Sequence, residues 1–376
     1  MMGNDTDICF VAPYAYRYLG PENSDPAGGA QRQQYMLATE LSDRGYNVAF
    51  IVEDVGQPNK QIIEGMFVST GCPIDIESPI SIPKATCRLW ASMRQVDADY
   101  YYVRGAPRLA VVTSLGASLL RKNFLFCIAN DTDINQSDLK DRYPSPIRWM
   151  YIRAIRSTDT VIAQTKNQQA QLSDVYDIES IQIPNGYDLP PNDQILSPES
   201  REFVLWVGSS DPMQKRPELF LNLAERLPEM EFIMVSKPMP DGGEYHKQLS
   251  NQAKNISNLR FIGGVDPDDI HDYYRRALLV VNTSSHEGFP NTFLEAWRFA
   301  TPVVSLSFDL DGRLQAEEIG VYSGSLKQLV SDIRSLVADP TQRASIGQNG
   351  RELVRTEFSL SSMTDRYEDV IQRNSR

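Results

Sequence analysis

Short apolar runs typical of buried strands alternate with helical segments along nearly the whole chain. The first series of runs lies at 8–12, 48–52, 100–103, 124–128 and 160–163, with helices predicted near 30–44, 107–121 and 146–157. The second series lies at 203–207, 232–235, 259–262, 278–281 and 303–305. Strands that alternate with helices are typical of parallel sheets covered by helices on both faces. The sequence therefore predicts an α/β protein with two doubly wound domains.

The segment 184–198 separates the two series, and it contains four prolines among polar residues. This composition is typical of a linker. We therefore predict an N-terminal domain over 1–187 and a C-terminal domain over 188–357. Sheets of this kind bind ligands at the carboxyl ends of their strands, so two such domains would enclose a ligand cleft.

Composition excludes several classes of function. The net charge of −12 argues against nucleic acid as a partner, because phosphate backbones require a basic surface. The chain has no apolar run of the roughly 18 residues that a membrane span needs. Its first residues lack the basic start of a signal peptide, so we expect a cytoplasmic protein, or one bound peripherally to the inner face of the membrane.

Metal and redox cofactors are not expected. The four cysteines form no C-x-x-C pair, and the three histidines are not clustered, so a zinc site is not predicted. A G-x-G-x-x-G fingerprint is absent, which argues against an NAD or FAD enzyme.

The segment 284–304 carries the clearest functional signal. Glu287 and Glu295 lie on either side of a Gly-Phe-Pro-Asn turn that leads into an apolar helix. A helix start offers unpaired backbone N–H groups to an anion, and Gly288 allows the backbone a close approach. A diphosphate between two polyols, as in a nucleoside-diphosphate sugar, fits this layout. Alternatively, Thr292 and Glu295 form a capping box in which the glutamate only satisfies its own helix.

This segment resembles the E-x7-E motif of retaining glycosyltransferases with the GT-B fold, the large group-4 family. The resemblance implies two Rossmann-like domains facing across a cleft, with a C-terminal helix at 358–376 packed back on the first domain. It implies that Glu287 lies at the transferred sugar and that Glu295 binds the ribose. The remaining donor-binding residues of the motif are Gly288, Phe289, Pro290, Asn291 and Thr292.

Other parts of the donor site follow from the same resemblance. Gly28 and Gly29 are similar to the family's Gly-Gly loop over the diphosphate, and Lys215 matches the lysine that neutralises it. Ser209 stands where the family usually has an arginine, for which Arg216 is a candidate substitute. The backbone at Val265 is expected to lie against the nucleobase.

The acceptor side is less clearly marked. Many family members have a histidine after a central strand of the first domain, where this chain has Asp131 and Asp133. Either carboxylate could orient an acceptor hydroxyl or take its proton. Arg104 could pair with Asp131 in a structural or a catalytic ion pair. The Asp-x-Asp pattern also imitates a manganese motif of the unrelated GT-A fold, but GT-B enzymes bind the diphosphate without metal, so no metal is expected.

The segment 142–156 mixes arginines with Trp149 and Tyr151 in an otherwise acidic protein. It is predicted to pack on the sheet or, alternatively, to contact a membrane that holds a lipid-linked acceptor. The function predicted is retaining transfer of a sugar from a nucleotide sugar to a glycan or lipid-linked acceptor. The alternatives are an inactive donor-binding subunit, which Ser209 and the missing histidine favour, and a nucleotide-sugar 2-epimerase, for which only His286 is near the site.

Overall fold

The computed structural model describes residues 6–20, 28–72, 82–239, 242–266 and 269–374, and the chain divides into two compact units. The first unit comprises Met1–Asn185 together with Leu360–Arg376, and the second comprises Gly186–Ser359. Each unit contains one sheet of largely parallel strands with helices around it. The predicted class, two Rossmann-like α/β domains, is confirmed.

The sheet of the first unit is built from strands whose order is β3-β4-β2-β1-β5-β6-β7-β8. In chain order, β1 to β8 are Ile8–Val11, Val48–Val52, Lys60–Ile63, Met66–Thr70, Tyr100–Arg104, Asn123–Cys127, Thr160–Ala163 and Ile181–Gln182. Neighbouring strands pair in parallel, except that β3 is antiparallel to β4. The parallel strands bring their carboxyl ends to one edge of the sheet, where the loops that carry the candidate acceptor residues begin.

Helices cover both faces of this sheet. In chain order, α1 to α7 are Tyr16–Leu19, Gly29–Asp43, Ile82–Val96, Pro107–Leu120, Gln136–Arg142, Ser145–Arg156 and Lys166–Tyr176. One core contains buried side chains of α3, α4, α6 and α7, and the opposite core contains those of α2 and of the C-terminal helix Leu360–Asn374. Arg44 at the end of α2 joins these last two helices, because its guanidinium contacts Asp365 at 2.6 Å and Glu368 at 2.7 Å.

The second unit has a parallel sheet of order β11-β10-β9-β12-β13-β14. Its strands β9 to β14 are Phe203–Ser209, Phe232–Lys237, Leu259–Ile262, Ala277–Asn282, Val303–Ser305 and Gly320–Tyr322. Its helices α8 to α14 are Pro217–Arg226, Gly243–Ala253, Ile270–Arg276, Asn291–Trp297, Arg313–Ala316, Leu326–Ala338 and Pro340–Thr356. The C-terminal helix Leu360–Asn374 is therefore α15. Short 3₁₀ helices lie at Pro13–Ala15, Asp131–Asp133, Asn192–Gln194, Pro198–Ser200 and Leu310–Gly312.

The strands missing from the sequence-based series are mostly edge strands. The edge strand β3 is half exposed, while β8 and β14 have two and three residues. Such short or solvated runs lack a continuous apolar pattern, so hydrophobic periodicity does not reveal them.

The proline-rich segment is held by buried arginines of the second unit rather than running free. Arg351 donates to the carbonyl oxygen of Pro190 at 2.7 Å, and Arg343 donates to that of Pro198 at 3.1 Å. Arg201, which ends the segment, donates to the carbonyl oxygen of Phe299 at 2.7 Å. Linker composition thus describes the sequence of this segment but not its packing.

Candidate active site

The loop between β9 and α8 places Lys215 close to the carboxyl end of the central strand. The Asp211 carboxylate accepts hydrogen bonds from the backbone N–H groups of Met213 at 2.8 Å and Gln214 at 2.9 Å, which closes a tight turn. Arg216 then adopts a left-handed conformation (φ 48°) as the N-cap of α8, and Pro217 is the first residue of that helix. The local sequence therefore determines where the Lys215 side chain starts.

Hydrogen bonds fasten this loop to the loop that follows β12. The Thr283 hydroxyl donates to the carbonyl oxygen of Lys215 at 2.6 Å, and the Ser285 backbone N–H donates to that of Gln214 at 2.8 Å. These contacts bring two segments about 70 residues apart in the chain to the same end of the sheet. Lys215 and Glu287 meet there.

Glu287 forms a two-pronged ion pair with Lys215. The lysine ammonium lies 2.6 Å from one carboxylate oxygen and 2.8 Å from the other. The first oxygen also accepts hydrogen bonds from the Ser284 hydroxyl at 2.6 Å and from the Asn282 amide at 3.3 Å. The Glu287 side chain is 7% exposed, whereas that of Lys215 is 21% exposed. The carboxylate is thus buried among its donors, and the lysine side chain is partly exposed.

Glu295 lies inside α11 and is held by residues from outside that helix. The hydroxyl of Tyr274 donates to one carboxylate oxygen at 2.8 Å, and that of Tyr187 contacts the other at 3.3 Å. The N-cap of α11 is Pro290, with no side-chain cap, so Thr292 is the second helical residue. The capping-box alternative is therefore wrong, because the helix begins earlier than that pairing requires.

The turn between the two glutamates packs into the second unit. Gly288, Phe289 and Pro290 are buried, and the Phe289 ring meets that of Phe358 edge to face with 5.3 Å between centroids. Asn291 and Thr292, which open α11, are partly exposed. Glu287 therefore precedes the helix and Glu295 lies one turn inside it, as predicted.

Arg216 is engaged with the protein itself rather than solvated. Its guanidinium donates to the carbonyl oxygen of Thr283 and to the hydroxyl of Ser307, both at 2.7 Å. Burial lowers the pKa of this guanidinium. These contacts fix the end of the Lys215 loop.

Lys237, which was not singled out from the sequence, lies near Ser209, the residue that stands where the family usually has an arginine. Lys237 ends β10 and lies in register opposite Ser209, the last residue of β9. The sequence could have indicated this residue, because Ser209 and Lys237 each follow a predicted strand and neighbouring parallel strands end at the same edge of a sheet. Lys237 therefore joins the candidate residues of this site.

The turn after β11 borders a cavity of about 460 Å³ in the second unit. Its lining includes Gly264 and Val265 of the turn, together with Arg260, Tyr273 and Arg276. The lining also includes Asp266, Asp269 and Asp272, and the contact of Val265 with a nucleobase stays a prediction.

In the first unit, Gly28 and Gly29 stand at the start of α2. Gly28 is the N-cap, with no side-chain cap, and its carbonyl oxygen accepts the first helical hydrogen bond from Arg32 at 3.2 Å. Residues 25–27, which precede the Gly-Gly pair, lie outside the described part of the chain. The first N–H groups of α2 have no acceptor within the helix itself, as at any helix start.

The two aspartates after β6 have different environments. One oxygen of Asp133 accepts hydrogen bonds from the backbone N–H groups of Ala129 and Asn130, both at 2.9 Å, so this buried carboxylate closes the turn. Burial raises its pKa, although these hydrogen bonds oppose the shift. Asp131 is partly exposed and accepts a hydrogen bond from the Gln168 amide at 2.9 Å.

Arg104 is held by a residue from the end of the first unit's long N-terminal segment. Its guanidinium donates to the Asn185 side chain at 2.7 Å, and the ion pair with Asp131 stays a prediction. Asn185 was not singled out from the sequence, because it lies about 80 residues further along the chain. Only the fold places it beside the end of β5.

The described ranges contain neither a metal-ligand cluster nor a membrane-spanning helix. No group of three or more histidine, cysteine, aspartate or glutamate residues there could hold a metal ion. No helix there is long and apolar enough to cross a membrane.

Comparison with known proteins gives matches to two family models. Residues 27–190 match the model described as Glycosyltransferase Family 4, and residues 192–353 match that described as Glycosyl transferases group 1. The D-inositol 3-phosphate glycosyltransferase of Kineococcus radiotolerans is 22% identical over 381 residues, which cover 88% of this chain and 87% of that protein.

Solved structures share the fold over nearly the full length. Sucrose-phosphate synthase from Thermosynechococcus elongatus superposes with a TM-score of 0.78 at 18% identity, covering 98% of both chains. Anabaena HepE, solved in complex with UDP and glucose, superposes with a TM-score of 0.75 at 17% identity, covering 98% of this chain and 99% of that one.

Proposed function

Because the chain belongs to the group-4 family of GT-B glycosyltransferases, whose two models together match residues 27–190 and 192–353, we propose that it is a retaining transferase. It uses a nucleotide sugar as donor, and the proposal is that the sugar passes to a glycan or lipid-linked acceptor. The solved Anabaena relative, in complex with UDP and glucose, supports a nucleoside-diphosphate sugar as the donor.

The observation that carries the proposal is the ion pair between Lys215 and Glu287. A buried carboxylate with four hydrogen bonds positions a cation whose own side chain is 21% exposed. Replacing such a pair by apolar side chains often costs nothing, so a pair at the carboxyl end of a central strand favours a functional explanation.

Lys215 is proposed to stabilise the departing diphosphate. A fixed cation at the developing charge lowers the barrier of the chemical step, because it needs no reorganisation during the reaction. Glu287 would then receive hydrogen bonds from hydroxyls of the transferred sugar. Lys237 is proposed to supply, beside Ser209, part of the positive charge that the family arginine provides elsewhere.

Glu295 is proposed to bind the ribose. Its two oxygens already receive hydroxyl donors from Tyr274 and Tyr187, and each carboxylate oxygen can accept more than one hydrogen bond. The tyrosines would therefore orient the carboxylate while ribose hydroxyls use its remaining lone pairs.

Asp131 is proposed to orient the acceptor hydroxyl. Its neighbour Asp133 is less suited to this role, because it is buried and holds two backbone N–H groups. Catalysis without a metal is part of the proposal, since Lys215 supplies the charge that a divalent cation would otherwise provide.

Thermal unfolding with UDP, GDP, ADP and their common sugar conjugates tests the donor site. A ligand at about 100 times its dissociation constant adds about 2.7 kcal/mol, which for units of this size shifts the melting temperature by about 5–10 °C. The shift should appear with one base and be lost in Lys215→Ala and Glu295→Ala. Glu352→Ala, on the exposed side of α14, should retain it.

Product analysis completes the test. Release of nucleoside diphosphate with an acceptor, unchanged by a metal chelator, is expected, and the product should keep the anomeric configuration of the donor. A shift without turnover would favour the inactive-subunit alternative, and an epimerised sugar nucleotide would favour the 2-epimerase. Absence of any shift from the folded protein contradicts the proposed donor site.

A further inference from the structure

Three helices of the first unit form a continuous layer on one side of its sheet. Side chains of α3, α4 and α6 share one buried core, and α4 contacts both of the others. The outer side chains of these three helices form one surface, which we call the outer layer face.

The outer layer face contains basic residues and no acidic ones. The sequences of α3, α4 and α6 include no aspartate or glutamate, although the whole chain has a net charge of −12. Their basic residues are Lys84, Arg88, Arg94, Arg108, Arg148, Arg153 and Arg156. The rest of the chain is therefore even more acidic than the total indicates.

Neighbouring carboxylates offset little of this charge. Arg88 pairs with Asp54 at 3.2 Å, while Asp97 and Asp99 at the edge of the layer both contact Lys122. The adjacent helix α5 contains two acidic and two basic residues, so it adds no net charge. The outer layer face remains a basic region on an acidic protein.

Large apolar side chains are exposed on the same face. Leu115 and Leu119, one turn apart on α4, are 52% and 68% exposed, and Trp149 and Met150 on α6 are 64% and 39% exposed. The Arg153 guanidinium lies 5.8 Å from the centre of the Trp149 ring. Beside this pair is a cavity of about 280 Å³, whose lining includes Ile152 and Arg156.

We propose that the outer layer face docks on an anionic lipid surface. Exposed tryptophan and leucine side chains among arginines are the combination that a headgroup region accommodates, since the apolar groups enter the acyl boundary and the guanidiniums pair with lipid phosphates. An acidic leaflet attracts clustered basic residues, whereas the rest of this protein would be repelled from it. Because the anionic lipid repels the acidic remainder of the surface, the protein would bind with the outer layer face toward the lipid.

Other occupants fit less well. A second copy docked face to face would bring like charges together, because a twofold contact uses the same surface on both subunits. Nucleic acid would gain from the arginines but leave Leu115, Leu119 and Met150 without apolar partners. The lipid surface satisfies both the charge and the apolar side chains.

This inference goes beyond the proposed transfer reaction and does not depend on the donor chemistry. It gives the first unit a direct route to a lipid-linked acceptor. Binding to vesicles and turnover of the sugar nucleotide are separate measurements, so the failure of one is distinguishable from the failure of the other.

Co-sedimentation of the full chain with vesicles tests the proposal. Binding is expected to phosphatidylcholine vesicles that contain phosphatidylglycerol, to weaken as salt is raised, and to be absent with phosphatidylcholine alone. Each basic residue near an anionic surface is worth about fivefold in affinity, so Arg148→Gln with Arg153→Gln should weaken binding about 20- to 30-fold. The matched control is Arg334→Gln with Arg355→Gln, which removes the same charge from exposed sites on the second unit.

Tryptophan fluorescence supplies a second readout. Trp206 and Trp297 are buried, and Trp90 is partly buried with its indole N–H donating to the carbonyl oxygen of Val112 at 2.9 Å, whereas Trp149 is 64% exposed. A blue shift of emission on vesicle binding should therefore come largely from Trp149 and be lost for the most part in Trp149→Ala. Ile62→Ala, at another exposed apolar residue of this unit, should bind as the wild type does. No binding to anionic vesicles at low salt would overturn the proposal, and so would equal vesicle affinity of the Arg148/Arg153 and Arg334/Arg355 double variants. It would also be overturned if the protein self-associated without binding vesicles and the Arg148 and Arg153 substitutions abolished that self-association.

Discussion

Replacing Glu287 by glutamine should tighten the binding of a free nucleoside diphosphate while reducing turnover of the sugar nucleotide. In the structure the Lys215 ammonium lies 2.6 Å and 2.8 Å from the two Glu287 oxygens. A diphosphate must share this ammonium with the carboxylate and must also approach a like charge. Glutamine removes the competing charge but keeps the shape of the side chain.

The magnitude follows from Coulomb's law. A phosphate held by the same ammonium would lie about 7 Å from the carboxylate, where two unit charges repel by about 2 kcal/mol at an effective dielectric constant of about 20. Access of water to the partly exposed Lys215 reduces this to about 1–2 kcal/mol. The dissociation constant should therefore fall about 5- to 30-fold.

Isothermal titration calorimetry with UDP, GDP and ADP measures the effect. Lys215→Met should weaken binding about 10- to 150-fold, because it removes a charged hydrogen bond to the diphosphate. Glu229→Gln is the matched control, since it neutralises an exposed carboxylate of the same unit that is paired with Arg334. If Glu287→Gln binds the diphosphate no more tightly than the wild type, Lys215 is not shared between the two groups and the assigned roles are wrong.

Three further outcomes are expected. Asp131→Asn should lower turnover with acceptor about 100-fold without changing the donor-induced thermal shift, whereas Asp133→Asn should change neither greatly, because an amide oxygen can still accept the two backbone hydrogen bonds. Arg351→Met should lower the free energy of unfolding in urea by about 2–3 kcal/mol, because it leaves buried carbonyl oxygens of Pro190 and Arg298 without their donor. Burial lowers the pKa of His246 below its ordinary value of 6.5, so the unfolded chain binds a proton first as pH falls and stability decreases from about pH 6.5 downward. His246→Asn should flatten that part of the melting-temperature profile, and an unchanged slope would contradict this account.

The sequence was sufficient for the class of fold because the central strands are continuous apolar runs. Burial on both faces of a parallel sheet requires such runs, so β1, β2, β9, β10, β12 and β13 were found with their ends misplaced by at most two residues. The edge strands β3, β8 and β14 were not predicted, because they are short or half exposed to solvent and their pairing depends on neighbours distant in the chain.

The main residues of the candidate site could also be predicted from the sequence. Glu287, Glu295 and Lys215 stand in local motifs whose turn and helix signals depend only on nearby residues. Their partners did not follow from those motifs. The ion pair of Lys215 with Glu287, the tyrosine hydroxyls on Glu295 and the register of Lys237 with Ser209 each join segments far apart in sequence.

Local patterns thus determined which elements form and which chemical groups the chain offers at their ends. Only the tertiary structure decided which of those groups meet, because hydrogen bonds and ion pairs depend on distances of about 3 Å that the packing of whole strands and helices sets. The outer layer face shows the same division. The segment that forms α6 stood out in the sequence, but the continuous basic and apolar surface exists only because α4 packs between α3 and α6.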